Sequence, residues 1–128
     1  MVRFSSAAHP LTETLEKSNT ATLVKEPVVS LLMLTYNHAQ YVAHALDSVL
    51  AQNFEESFEI VIGEDCSTDG TREIVDTYLA RRPDVIRVVT SERNVGLGRN
   101  FRRIGLRARG SYTAFCEGDD GSSRRRVA

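Results

Sequence analysis

Four short apolar runs alternate with segments of helical periodicity along most of this chain, and this alternation constrains the fold more than any other feature. The runs have strand length and cover residues 28–35, 58–64, 85–89 and 111–117. Continuous apolar runs are typical of strands that are buried on both faces of a parallel sheet. The segments between them place apolar residues three or four positions apart, as on one helix face: residues 39–52, 67–82 and 94–110.

Strands that alternate with helices indicate an α/β domain. The first two runs begin about thirty residues apart, which is the length of a strand–helix–strand unit. Connections of this kind are right-handed. The sequence therefore predicts a Rossmann-like, mostly parallel sheet with helices on both faces.

The two ends of the chain differ from this middle part. Residues 1–26 are rich in Ser, Thr and Ala and show no sustained periodicity, so we expect a mobile leader with a short helical turn around residues 11–17. Residues 27–120 form the predicted domain. Residues 121–128 read GSSRRRVA and are interpreted as a basic tail.

Composition excludes several classes of protein. The chain has 16 basic and 17 acidic residues and a formal charge of −1, so no overall positive field attracts nucleic acid. Its apolar runs are shorter than the ~20 residues of a membrane-spanning helix. The first residues lack the apolar core of a secretory signal, and we therefore expect a cytoplasmic location.

Polar residues follow each of the four apolar runs. In parallel sheets the strands end at a common edge, and ligands bind beyond that edge. We therefore expect a ligand cleft formed by these four segments: residues 35–38, 64–71, 91–98 and 117–120.

The last of these segments carries three carboxylates, those of Glu117, Asp119 and Asp120. Carboxylates this close repel one another unless a positive charge lies between them. Mg²⁺ or Mn²⁺ prefers such oxygen ligands and often shares them with substrate phosphates. The alternative is a solvated acidic turn, but the strand-end position favours a metal site.

The second segment begins with the acidic pair Glu64 and Asp65. A carboxylate there can accept hydrogen bonds from a nucleobase or a ribose hydroxyl. The alternative is capping of the following helix, which we favour for Ser67 and Asp69.

Other strand-end residues are candidates for ligand contacts. Thr35, Tyr36 and Asn37 can line a base pocket, although Asn37 is equally typical of a turn before a helix. Arg99 can reach a diphosphate. We expect the other arginines nearby to form a solvated helical face: Arg102, Arg103, Arg107 and Arg109. His38 and His44 lack zinc-ligand spacing and are interpreted as surface residues.

These segments resemble, in order and approximate spacing, the family 2 glycosyltransferases of the GT-A fold. The resemblance covers roughly residues 28–120 and rests on LLMLTYNHAQYVAHALDSVLAQ, EIVIGEDCSTDGTREIVDTY, RNVGLGRN and GSYTAFCEGDD. It implies a UDP- or dTDP-sugar donor, a divalent metal and inverting transfer of the sugar to a glycan, a lipid-linked glycan or another acceptor.

The resemblance also implies roles for individual residues. The nucleoside would contact Thr35, Tyr36 and Asn37, and the base would contact Glu64 with Asp65 beside it. Glu117-Gly118-Asp119-Asp120 is similar to the family's DxD-type signature, which binds ribose and the metal-bound diphosphate. Arg99 matches a basic position near the diphosphate.

After Asp120 the sequence departs from the family pattern, which continues into an acceptor-binding half that contains the general base. We therefore expect a donor-binding half, with a non-catalytic nucleotide- or metal-binding module as the alternative. A sheet left uncovered on one side is expected to favour self-association. The resemblance implies the strand order 3-2-1-4 for the four predicted strands. This order places the strands before Cys66 and Cys116 two strand spacings apart, which predicts two free thiols.

Overall fold

The computed structural model describes residues 14–117. Five strands and three helices lie in this range. The strands are β1 (Leu15–Lys17), β2 (Val29–Thr35), β3 (Phe58–Glu64), β4 (Ile86–Thr90) and β5 (Tyr112–Glu117). The helices are α1 (Val42–Leu50), α2 (Thr71–Arg81) and α3 (Leu97–Arg107). All four predicted strands and all three predicted helices are present, and the helices are shorter at both ends than the sequence pattern suggested.

The strands form one sheet in the order β1-β4-β3-β2-β5. Strands β2 to β5 run parallel to one another. Among the described strands only β1 is antiparallel, and it pairs with β4. The four predicted strands thus have the order that the family resemblance implied, and the mostly parallel sheet is confirmed. In this register Leu34 of β2 lies between Gly63 of β3 and Glu117 of β5, so the carboxyl ends of these strands share one edge.

Helices cover both faces of the sheet, as predicted. On one face α1 and α2 bury the larger core, which includes Met33, Leu46 and Val75. On the other face α3 contributes Ile104 to a smaller core with strand residues such as Val61. Neighbouring strand residues point to opposite faces, so a strand buried on both sides has to be apolar throughout. This requirement explains the continuous runs.

The segment before β2 differs from the mobile leader that we expected. From residue 14 onwards it contacts the sheet, since β1 pairs with β4 from Leu15 opposite Thr90 to Lys17 opposite Val88. The Nζ atom of Lys17 also lies 2.8 Å from Asp76 on α2. The predicted helical turn is therefore wrong for the residues of β1, because pairing with the edge of β4 satisfies their backbone groups. The rest of the predicted leader, residues 1–13, lies outside the described residues.

A network of buried charges lies at the amino-terminal end of the sheet. Glu59 on β3 is completely buried, and its carboxylate accepts hydrogen bonds from Arg87 at 3.0 Å and from Ser30 at 2.7 Å. The guanidinium of Arg109 adds an ion pair at 2.8 Å. Arg87 in turn pairs with Glu16 of β1 at 2.7 Å, so the network joins the first strand to the core of the sheet.

The absence of a side chain at Gly63 allows α3 to approach β3 closely. A Cβ atom at this position would lie 2.5 Å from Oδ1 of Asn100 and 2.9 Å from Cγ2 of Ile104. The Nδ2 atom of Asn100 donates a hydrogen bond to the Gly63 carbonyl oxygen at 2.9 Å. The helix is therefore fixed directly on the strand at the edge where the parallel strands end.

We predict that Gly63→Ala lowers the free energy of unfolding by about 1–3 kcal/mol, because the added methyl group overpacks the contact with α3. The matched control is Gly105→Ala, where an added Cβ meets nothing within 4 Å. In the exposed part of a helix this change is expected to stabilise by about 0.5–1 kcal/mol. Urea unfolding of both variants measures the difference, and equal stabilities would contradict the close approach.

The buried network also predicts how stability depends on pH. Burial raises the pKa of Glu59, but hydrogen bonds from Ser30, Arg109 and Arg87 outweigh burial and place the pKa below its usual value of 4.5. The ionised form is therefore favoured in the folded state. Its contribution to stability is complete above pH 4.5 and is lost as the pH falls through the lowered folded value.

We expect Glu59→Gln to be less stable than the wild type by about 3 kcal/mol at pH 7, because Arg87 loses a buried partner. The difference should shrink as the pH is lowered, since the wild-type Glu59 then becomes protonated. The control Glu55→Gln, at an exposed loop position, should change stability by less than about 0.5 kcal/mol. Urea unfolding at several pH values is the measurement, and a constant difference would be the contradicting result.

Candidate functional site

A cleft of about 770 Å³ opens where the parallel strands end. It lies between β2, β5 and α3, and residues near the ends of both strands and in the first part of the helix line it. The lining residues are Leu34, Thr35, Tyr36, His38, Asp65, Asn94, Gly96, Leu97, Gly98, Asn100, Phe101 and Phe115. A cleft thus lies at the predicted edge of the sheet, and three of the predicted site residues line it: Thr35, Tyr36 and Asp65.

The cleft has a polar side and an apolar side. The polar side is lined by Thr35 and Asp65, which are almost completely buried, and by Tyr36, which is 45% exposed. On the apolar side the rings of Phe101 and Phe115 meet edge to face, with centroids 5.8 Å apart. Such a combination suits a ligand with a flat ring and polar substituents.

Asn37 helps to shape the loop beside the cleft. Its backbone has φ = 55°, in the left-handed region that asparagine tolerates. Its N–H donates to Oγ of Ser67 at 2.8 Å, and its side-chain oxygen accepts the N–H of Thr68 at 2.9 Å. Asn37 lies outside the cleft lining, so the structure supports the turn that we considered as the alternative role.

The loop before α2 was predicted to cap the helix through Ser67 and Asp69. The N-cap residue is instead Gly70, which makes no side-chain capping bond, although Asp69 accepts the N–H of Thr71, the first residue of the helix, at 3.0 Å. The hydroxyl of Thr71 also donates to this carboxylate and lowers the pKa of Asp69. The prediction for Ser67 was wrong, because its hydroxyl accepts the N–H of Asn37 across the gap between the two loops.

Glu64 stabilises the loop that follows β3 through its buried carboxylate. Its side chain is completely buried, and its two carboxylate oxygens accept the N–H groups of Cys66 at 3.1 Å and Ser67 at 3.0 Å. Nε of Arg72 lies 3.5 Å from the same carboxylate. Cys66 has φ = 60°, so these bonds fix a conformation that few residues other than glycine adopt. Glu64 lies next to the cleft but does not line it.

Asp65 joins two of the loops that form the cleft. Its carboxylate accepts the N–H of Val95 at 2.7 Å and the N–H of Gly96 at 3.0 Å. Asn94 donates from Nδ2 to the backbone oxygen of Asp65 at 3.1 Å. Gly96 has φ = 95°, which explains why this position carries glycine. The sequence indicated an acidic residue at the edge of the sheet, but not that it binds the loop after β4.

The solvated face predicted for the arginines of α3 is wrong for Arg103, which is only 4% exposed. Its guanidinium donates to Oγ of Ser91 at 3.0 Å, to Oδ1 of Asn100 at 3.0 Å and to the backbone oxygen of Glu64 at 3.2 Å. Burial lowers the pKa of Arg103, and the nearby carboxylate of Asp65 opposes this effect. Arg103 therefore cross-links α3 to the ends of β3 and β4.

Arg99 does not line the cleft. Its side chain is exposed and borders a separate cavity of about 210 Å³, together with other residues of α3 and its flanking segments: Thr14, Val95, Arg102, Arg103, Leu106 and Arg107. The predicted contact between Arg99 and a diphosphate in the main cleft thus has no support from its position.

The predicted metal ligands follow β5. The strand ends at Glu117, whose backbone lies beside Leu34 of β2. Asp119 and Asp120 lie outside the described residues. Within residues 14–117 no three His, Cys, Asp or Glu side chains converge in a way that could hold a metal ion. Carboxylate oxygens are the donors that Mg²⁺ and Mn²⁺ prefer, so the carboxylates of residues 117–120 stay the predicted metal ligands.

The two histidines of the described residues differ in exposure. His44 is exposed, as expected, whereas His38 is partly buried and lines the cleft.

Cys66 and Cys116 form no disulfide, which confirms the two predicted free thiols. None of the helices within residues 14–117 has the length and apolar character needed to cross a bilayer.

Comparisons with known proteins agree with this arrangement. The sequence model described as Glycosyl transferase family 2 matches residues 30–127. An uncharacterized protein of Mycobacterium tuberculosis is 40% identical over 92 residues, which are 72% of this chain and 27% of that protein.

Two solved structures are similar. The mannosyltransferase PcManGT from Pyrobaculum calidifontis, in complex with GDP-Man and Mn²⁺, has a TM-score of 0.66 and 25% identity, over 74% of this chain and 28% of that one. TarS residues 1–349 from Staphylococcus aureus, in complex with UDP-GlcNAc, has a TM-score of 0.62 and 34% identity, over 71% of this chain and 26% of that one. The chain thus spans little more than a quarter of the length of these proteins.

We predict that Asp65→Asn loosens the loop after β4, because an amide group offers only one acceptor for the two N–H groups of Val95 and Gly96. The free energy of unfolding should fall by about 1–3 kcal/mol, and the amides of both residues should exchange faster with solvent. The control Asp84→Asn removes an exposed pair with Arg82 and should cost less than about 1 kcal/mol. Unchanged exchange at Val95 and Gly96 would contradict the role of Asp65.

Proposed function

This chain belongs to glycosyl transferase family 2, and we propose that its cleft binds the nucleoside diphosphate part of a UDP- or dTDP-sugar together with Mg²⁺ or Mn²⁺. The observation that carries this proposal is the position of the cleft at the carboxyl ends of the parallel strands, with an exposed tyrosine ring at its polar side. Ligands of open α/β sheets bind at this edge.

In this proposal the nucleoside occupies the polar side of the cleft. The exposed ring of Tyr36 stacks on the base, and Thr35 and Asp65 offer oxygen atoms to its polar groups or to the ribose. Asn37 and Glu64 act indirectly, because they lie outside the cleft lining and their polar atoms hold the loops beside it. Arg99 is left out of the diphosphate site, since it borders the other cavity.

The metal belongs to the segment after β5. Glu117, Asp119 and Asp120 would hold it, with Asp119 also near the ribose. When bound, a divalent cation neutralises the charge that develops on the leaving diphosphate.

The proposed reaction is an inverting sugar transfer. The oxygen of an acceptor hydroxyl forms a bond with the anomeric carbon while the bond between that carbon and the diphosphate breaks, and a general base takes the hydroxyl proton. None of the described residues is assigned as this base.

The proposed acceptor is a glycan or a lipid-linked glycan, and the proposed location is cytoplasmic. Self-association through an uncovered side of the sheet was expected, but helices cover both faces among the described residues. Self-association is therefore proposed through the outer edge of β5, the last strand of the described sheet, where Tyr112 is exposed.

Calorimetric titration with UDP, dTDP and GDP, each with and without Mn²⁺, tests the proposal. We expect metal-dependent binding of UDP or dTDP, and a loss of the metal dependence in Asp120→Ala. If the folded protein binds no nucleotide, or binds it equally well without metal, the proposal is wrong. Binding without sugar transfer would indicate the non-catalytic module instead.

Tyr36→Ala should weaken nucleotide binding by about 5–100-fold, because stacking on an aromatic ring contributes about 1–3 kcal/mol per base. Tyr41 provides a matched control, since it is similarly exposed, at 49%, and lies outside the cleft lining. Tyr41→Ala should leave the dissociation constant within about twofold of the wild type. Equal losses in both variants would exclude a specific stacking role.

A further inference from the structure

We propose that His38 is a positioning residue, which holds the backbone of Tyr36 in its place at the cleft by accepting the Tyr36 N–H at Nδ1. This inference rests on the proposed function for its effect on nucleotide binding. The conformation of the loop can be tested without any nucleotide.

Four consecutive backbone N–H groups in the loop after β2 are accepted by side chains rather than by other backbone groups. Those of Asn37, His38 and Ala39 donate to Ser67, Thr71 and Asp69 at 2.8, 2.9 and 3.1 Å. Ser67 and Asp69 lie in the loop before α2, and Thr71 is the first residue of that helix. The N–H of Tyr36 donates instead to Nδ1 of His38 at 3.4 Å, so its acceptor comes from within the same loop.

The proposed contact requires one tautomer of the neutral imidazole ring. A backbone N–H can only donate, so Nδ1 has to present its lone pair, and the proton of the ring lies on Nε2. The hydroxyl of Thr35 lies 3.2 Å from Nδ1 and shares this single lone pair. His38 thus binds both residues that precede Asn37, and both of them line the cleft.

The contact matters for the cleft because the ring of Tyr36 is exposed and has little packing of its own. Its orientation depends on its backbone. The neighbouring residues are held by the bond from the Asp65 N–H to the Thr35 oxygen and by the bond from the Asn37 N–H to Ser67, and the bond to His38 holds the N–H of Tyr36 itself. Removing the His38 acceptor leaves the other bonds of this loop unchanged. We therefore expect local freedom at Tyr36 rather than unfolding of the loop.

Three substitutions of His38 distinguish the role of Nδ1 from that of Nε2. The side-chain oxygen of asparagine can occupy the position of Nδ1, whereas the longer glutamine reaches towards Nε2. His38→Asn should therefore retain slow exchange of the Tyr36 amide, and His38→Gln and His38→Ala should lose it. His44→Ala, at an exposed position on α1, is the matched control and should behave like the wild type.

Two measurements on the nucleotide-free protein decide the inference. Nitrogen NMR of the His38 ring should show an unprotonated Nδ1 and a protonated Nε2. Hydrogen exchange should show the Tyr36 amide protected in the wild type and in the His44→Ala control. Among the His38 variants it should be protected in His38→Asn only. A proton on Nδ1, or equal protection in all three His38 variants, would overturn the proposal.

Titration with UDP and Mn²⁺ then tests the consequence for the site. His38→Ala and His38→Gln should weaken binding about fivefold, as expected for one hydrogen bond of about 1 kcal/mol, and His38→Asn should restore it. If the nucleotide does not bind to the wild type, the proposed function fails, while the NMR and exchange results still decide the role of His38. If UDP binds and His38→Asn is as weak as His38→Ala, the positioning role is wrong.

Discussion

The structure depends on one constraint, namely that backbone N–H groups leaving a parallel sheet need acceptors which the sheet no longer supplies. At the edge where the parallel strands end, several of these acceptors are side chains. Glu64, the last residue of β3, takes two N–H groups of the loop that follows, and Asp65 takes two from the loop after β4. Asp69 and His38 serve the loop after β2 in the same way. The loops around the cleft are thereby bound to one another and, through Glu64, to the end of the sheet.

This constraint changes the interpretation of acidic residues at strand ends. In the sequence, Glu64 and Asp65 stand out as a pair that resembles a substrate-binding motif. In the structure their carboxylates are first of all acceptors for backbone groups, and only Asp65 also lines the cleft. A ligand-binding pocket needs walls that hold their shape, so a residue type that suits a ligand also suits the loops around it. Position in the motif does not distinguish the two roles.

The sequence predicted those features that depend on a repeating pattern. The strand at residues 58–64 was predicted with its exact bounds, because a strand buried on both faces has to be apolar throughout. β1 was missed, since three residues of mixed polarity carry no periodic signal. The burial of Arg103 was missed for a related reason, because its partners on β3 and β4 are far away in sequence. Contacts of this kind follow from the fold and not from the local pattern.

The close packing at Gly63 has a consequence for how such sequences diverge. Asn100 occupies the space that a side chain on β3 would need, and it also receives a hydrogen bond from Arg103. A larger residue at position 63 is therefore compatible with the fold only when position 100 becomes smaller. Among descendants of a common ancestor, the two positions are expected to covary, and glycine on the strand should accompany a long polar side chain on the helix.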